Sequence, residues 1–127
     1  MTDMKTPLAK VHGLGSAKDG THHWWTQRLT ALANIPLVIF MVVSFVGNAG
    51  KGHAEWVAWL KQPLVSVLVI LFVANFVYHM RLGLQVIVED YVHGALKVVT
   101  LLGLQLLHWA LAVAAIYSVI VISTGTA

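Results

Sequence analysis

Three long apolar runs, set apart by short polar stretches, organise the chain. The first extends from about Leu29 to Asn48 and contains Pro36, the second from Pro63 to about Val88, and the third from Lys97 to about Ile122. Each is long enough for a helix to cross a bilayer, which takes about 20 apolar residues. A proline inside such a helix is tolerated where neighbouring helices or a serine satisfy the freed carbonyl. Between the first two runs lies GKGHAEWVAWLKQ, a glycine-bearing polar loop followed by a short amphipathic piece. Trp56 and Trp59 there, and Trp24 and Trp25 ahead of the first run, have the character of interfacial anchors. The first 28 residues hold Lys5, Lys10, His12, Lys18 and Asp19 without an apolar centre, so they do not read as a cleavable signal peptide. The pattern predicts an all-α membrane protein: an N-terminal segment over 1–28, then a three-helix domain over 29–127.

Composition agrees. Hydrophobic residues make up 58% of the 127 positions and charged ones 10%, with a mean hydropathy of +0.79. A soluble globule of this length has no interior large enough for that much apolar surface. Cysteine is absent, which removes disulfides, thiolate metal sites and cysteine-held iron–sulfur clusters from this chain. The net charge of +3 comes without a basic run, so nucleic-acid binding has no support. The placement of Lys and Arg predicts orientation. Lys5, Lys10, Lys18, Arg28 and Lys97 fall on the amino-terminal side of the membrane, and only Lys51 and Lys61 on the other. The N-terminus is therefore expected inside and the C-terminus outside, in an arrangement where Arg81 can snorkel inward.

Polar chemistry concentrates in HMRLGLQVIVEDY, His79 to Tyr91, the inward half of the second run. Ionisable groups within a span are costly and normally face the bundle interior. Asp90 lies eleven positions after His79, about 16 Å along a helix and close to the same face. Two readings of His79 stand: an imidazole hydrogen-bonded to a neighbouring helix, or an axial haem ligand. Asp90 and Tyr91 read either as interfacial decoration or as a quinone site, with the phenol donating to a quinone carbonyl and the acid supporting it. His108, in the third run, has a depth within about 3 Å of His79, so an internal pair of haem ligands is geometrically possible, as is a second ligand from a partner subunit. Arg81 suits a haem propionate or simple snorkelling. Gly83, one turn after His79, lets a flat macrocycle approach or serves helix packing. Glu89 is expected to be solvated at the rim.

His79, ten intervening residues and then Asp90–Tyr91, on the second of three spans, resembles the D-type membrane anchor of succinate dehydrogenase. The segment HHWWTQRLTA, His22 to Ala31, resembles that family's His-x5-Arg-x-Thr-Ala lead into the first helix, and the likeness covers nearly the whole chain. The resemblance implies two anchor subunits, C and D, sandwiching one haem b with one axial histidine from each. It implies an iron–sulfur subunit on the inner face passing electrons to ubiquinone, and a flavoprotein subunit beyond it. By position, His79 is then the haem b iron ligand, Tyr91 the ubiquinone hydrogen-bond donor and Asp90 its support. Arg28 falls near the haem propionates or the quinone pocket. His22 matches a family histidine on the inner face, while His23, Trp24 and Trp25 inherit no role. What is implied is a non-catalytic anchor of complex II in a bacterial cytoplasmic (inner) membrane, without flavin, cluster or dicarboxylate sites of its own. The anchor of a fumarate-reducing relative is the neighbouring alternative. A small non-redox transporter or assembly protein is the alternative from another class.

Overall fold

The computed structural model describes residues 6–13 and 20–125. Among the described residues every regular element is a helix: α1 (Pro7–Val11), α2 (Gly20–Asn48), α3 (His53–Leu60), α4 (Pro63–Tyr91) and α5 (Ala95–Thr124). Three of these, α2, α4 and α5, are long and apolar enough to span a membrane. At 29, 29 and 30 residues, each is about 44 Å long and exceeds a hydrocarbon layer of about 30 Å. Polar residues extend some of these helices beyond their apolar stretches, as at the start of α2 and the end of α4. Accordingly α2 begins at Gly20, well before the apolar run: His22 to Arg28 contain no helix breaker, and the helix continues through Pro36.

Local chemistry sets the boundaries. Pro63 occupies the first turn of α4, where its missing N–H costs nothing, and Ser66 closes the α3–α4 corner by donating from Oγ to the Leu60 carbonyl at 2.6 Å. At the opposite end the chain reverses between Tyr91 and Ala95. Gly94 there has φ 67° and ψ −152°, a conformation essentially confined to glycine. Lys97 Nζ donates to the Glu89 carbonyl at 3.1 Å, satisfying a terminal acceptor of α4. Gly125, left-handed at φ 73°, ends α5.

Helix α4 packs against both α2 and α5, and α3 lies across the end where α4 begins. The cluster of buried apolar side chains lies at that end. Val65, Val69 and Val119 are buried there, with Phe40, Met41, Trp59, Leu60 and Ile70 around them. Trp59 stacks on Phe40 and Trp56 tilts against Phe45, so these tryptophans also rivet α3 to α2, a role beyond the anchoring expected of them. Elsewhere burial is sparse, with Leu82, Val88 and His108 as isolated buried side chains. In the apolar stretches of α2, α4 and α5 only 6%, 17% and 11% of residues are buried, so most of the surface faces lipid or other chains. The α2–α4 seam opens toward the end of α4 that leads into the α4–α5 turn.

Candidate functional site

A polar ladder joins α2 to α4. Thr30 and Asn34 lie one turn apart on α2, and Asn75 and His79 one turn apart on α4. The helices run antiparallel, so Asn75 meets Asn34 while His79 meets Thr30. Asn75 Nδ2 donates to Asn34 Oδ1 at 2.8 Å and to the Thr30 carbonyl at 2.9 Å. Thr30 Oγ1 lies 2.9 Å from His79 Nδ1, and also 2.8 Å from the Thr26 carbonyl and 3.1 Å from that of Gln27. The other ring nitrogen of His79, Nε2, has no hydrogen-bond partner among the described residues.

From this ladder toward the α4–α5 turn the two helices part into an open groove of about 1080 Å³. His79 forms its deep end, Ala31 and Gly83 its narrow walls, and Gln27, Arg28 and Glu89 its polar mouth. A Cβ on Gly83 would meet only the Gln27 side chain of α2, its Nε2 at 3.5 Å, so the absent side chain widens the groove up to that amide. Arg28 is held over the Trp24 ring, its guanidinium carbon 4.3 Å from the centroid. That cation–π contact, one turn back on α2, directs a positive charge along the mouth. Two side-chain atoms of α2, His23 Nε2 and Gln27 Oε1, are buried without a partner beside the groove. A groove lined by polar side chains, with an unpaired imidazole nitrogen at its end, is suited to receive a ligand.

The other sequence candidates fall elsewhere. His108 is buried to 4% exposure and donates from Nδ1 to the Leu104 carbonyl of its own helix at 2.6 Å, leaving Nε2 unpartnered. It lines a separate cavity of about 270 Å³ between α4 and α5, with Tyr78, Arg81 and Trp109. No described cavity is lined by both His79 and His108. Arg81 faces α5 because two helical steps turn it about 200° from His79. Asp90 and Tyr91 are exposed at the end of α4, Tyr91 to 80%. It is Glu89, accepting from Gln85 Nε2 at 2.8 Å, that lines the mouth of the groove. Likewise His23 borders the groove and His22 does not. Among the described residues no three or more His, Asp or Glu gather as a bare metal site.

Thr30, Asn34 and Asn75 were not singled out from the sequence as a site. Their signal was present: with His79 they form two polar pairs at i, i+4 spacing, one on each of two helices with long apolar runs, the usual mark of an interhelical contact in a membrane.

The family model described as "Succinate dehydrogenase/Fumarate reductase transmembrane subunit" matches residues 2–122. A protein of Rickettsia bellii named succinate dehydrogenase hydrophobic membrane anchor subunit is 32% identical over 71% of this chain and 72% of its own length. The similarly named protein of Paracoccus denitrificans is 26% identical over 89% of this chain and 88% of its own. A succinate dehydrogenase membrane anchor subunit of Reclinomonas americana is 29% identical over 61% and 67%. No solved structure matches.

Proposed function

The chain belongs to the succinate dehydrogenase/fumarate reductase transmembrane subunit family, and from that premise we propose that it anchors a succinate:ubiquinone oxidoreductase in a bacterial cytoplasmic membrane, contributing one axial ligand to haem b and part of a ubiquinone site. Its N-terminus lies inside. The names of its relatives favour succinate dehydrogenase over the fumarate reductase that the family description also covers. The observation that carries the haem assignment is His79, whose unpartnered Nε2 ends a groove that Gly83 leaves open. A second histidine ligand would come from the partner anchor, since His108 lines a different cavity.

The residues present fit the group. His79 would hold the iron, and Arg28, positioned by Trp24 at the groove mouth, would pair with the propionates. Gln27, whose Nε2 lies beside Gly83, and His23 also line the groove there. Haem b supplies one-electron storage between the iron–sulfur subunit and quinone. Helix α4 carries Tyr91 about 18 Å along its axis from His79, too far to touch a haem ligand. At 80% exposure on this chain its hydroxyl is available to a quinone headgroup enclosed by partner subunits, with Asp90 beside it as support. The chain itself performs no succinate chemistry, which falls to the flavoprotein and iron–sulfur subunits.

The test is the reduced-minus-oxidised absorption spectrum of the assembled complex carrying His79→Ala or His108→Ala. The low-spin haem signal is expected to disappear with the first and persist with the second. An unchanged spectrum in His79→Ala, or loss only in His108→Ala, refutes the ligand assignment. A purified wild-type complex with no pigment favours a non-redox membrane role.

A further inference from the structure

We propose that Thr30 is a positioning residue that fixes the proton of His79 on Nδ1 and so presents Nε2, bare, to the α2–α4 groove; the inference rests on the haem-ligand reading of His79. A threonine hydroxyl has one hydrogen and two lone pairs. Around Thr30 Oγ1 stand three atoms within hydrogen-bond distance: the Thr26 carbonyl at 2.8 Å, the Gln27 carbonyl at 3.1 Å and His79 Nδ1 at 2.9 Å. Both carbonyls can only accept. If the hydroxyl gave its hydrogen to His79, two carbonyl oxygens would face it with no proton between. If it donates back along its own helix, to the nearer Thr26 carbonyl with that of Gln27 as a shared acceptor, its lone pair is directed at His79, and the His79 contact is satisfied when Nδ1 carries the hydrogen. Threonine back-bonding to a preceding carbonyl is the ordinary helical geometry. His79 is then the Nδ1–H tautomer, and Nε2 holds the lone pair a metal requires.

One turn away on α4, Asn75 binds the Thr30 carbonyl and Asn34 Oδ1, contacts of the same seam that do not involve the Thr30 hydroxyl. An acceptor on the remote nitrogen of a ligating histidine fixes ring orientation and raises ligand basicity. A more basic imidazole favours ferric over ferrous iron, so the Thr30 hydroxyl lowers the midpoint potential of the bound haem.

The experiment is a redox titration of the haem in the assembled complex for Thr30→Val, Thr30→Ser, Asn75→Ala and His79→Ala, with pulsed EPR of the remote ring nitrogen in the wild type. Valine keeps the shape and loses the acceptor, and serine keeps the acceptor. The expected result is an upward shift of the midpoint potential in Thr30→Val, restoration toward wild type in Thr30→Ser, and little shift in Asn75→Ala. The wild-type nitrogen is expected to show a bound, exchangeable proton, a readout that survives if Thr30→Val fails to assemble. Equal potentials for valine, serine and wild type overturn the inference, as do an Asn75→Ala shift as large as that of Thr30→Val and an unprotonated remote nitrogen. Persistence of the low-spin haem in His79→Ala overturns the ligand reading and this inference together. Loss of haem there, with Thr30→Val unshifted, overturns the role of Thr30 alone.

Discussion

Replacing Asn75 by alanine is expected to loosen the α2–α4 seam measurably. The side chain donates two interhelical hydrogen bonds, to Asn34 Oδ1 and to the Thr30 carbonyl. Hydrogen bonds between membrane helices average about 0.6 kcal/mol and reach about 1.7 kcal/mol. Two of them give about 1.2 kcal/mol. Truncation also leaves Asn34 Oδ1 without its donor in an apolar setting, a penalty of about 1–3 kcal/mol where no substitute partner is found. The Thr30 carbonyl suffers less, since it lies within the continuous α2 ladder. The expected loss for Asn75→Ala is therefore about 1–3 kcal/mol. Because the cost has two sources, Asn34→Ala in the Asn75→Ala background is expected to be nearly free. A double-mutant cycle between the two is expected to return a coupling of about 0.6–1.7 kcal/mol. The assay is reversible unfolding in mixed lipid–detergent micelles followed by far-UV circular dichroism. A single-mutant loss within roughly 0.3 kcal/mol of zero, the additivity error, with no coupling, refutes the reasoning and makes the ladder incidental.

Tyr91→Phe keeps the ring and removes only the hydroxyl. A lost hydrogen bond of about 0.5–1.5 kcal/mol is expected to slow quinone reduction roughly two- to tenfold, with haem spectrum and artificial-acceptor succinate oxidation unchanged; wild-type quinone turnover places the quinone elsewhere. Gly83→Ala meets only Gln27 Nε2 at an ordinary 3.5 Å and is expected to retain haem, whereas Gly83→Leu fills the groove and is expected to lose it; the pyridine haemochrome assay counts both, and equal haem content in the two variants removes the groove from the account. Gly94→Ala adds a Cβ that touches nothing, so its expected cost of about 1–3 kcal/mol is backbone strain alone. It is read as a lower unfolding midpoint in the same micelles, and an unshifted midpoint shows that the α4–α5 turn relaxes to another conformation.

Much of the architecture was legible in the residues. Three apolar runs broken by Gly50, Pro63 and Gly94 determine three long helices and their order, because in a bilayer each backbone polar group must be satisfied within its own segment. The His79 and Gly83 face of α4 was legible too, since helical periodicity decides which residues of one helix look the same way. Helix lengths were less so: α2 starts at Gly20, nine residues before the apolar run, because hydropathy marks where a helix meets lipid and says nothing of how far it projects into water. Only the tertiary structure decided what each face meets. It set Thr30 against His79 and Asn34 against Asn75, turned Arg81 toward α5, gave His108 its own cavity, and brought His23 and Glu89 to the groove in place of His22 and Asp90. The physical reason lies in the solvent. In water, an apolar stripe announces the buried side of a helix; in lipid, leucine outside costs no more than leucine inside, so the pattern carries no inward direction. The faces that pair are chosen by a few polar and small side chains whose partners become identifiable only when two helices are laid side by side.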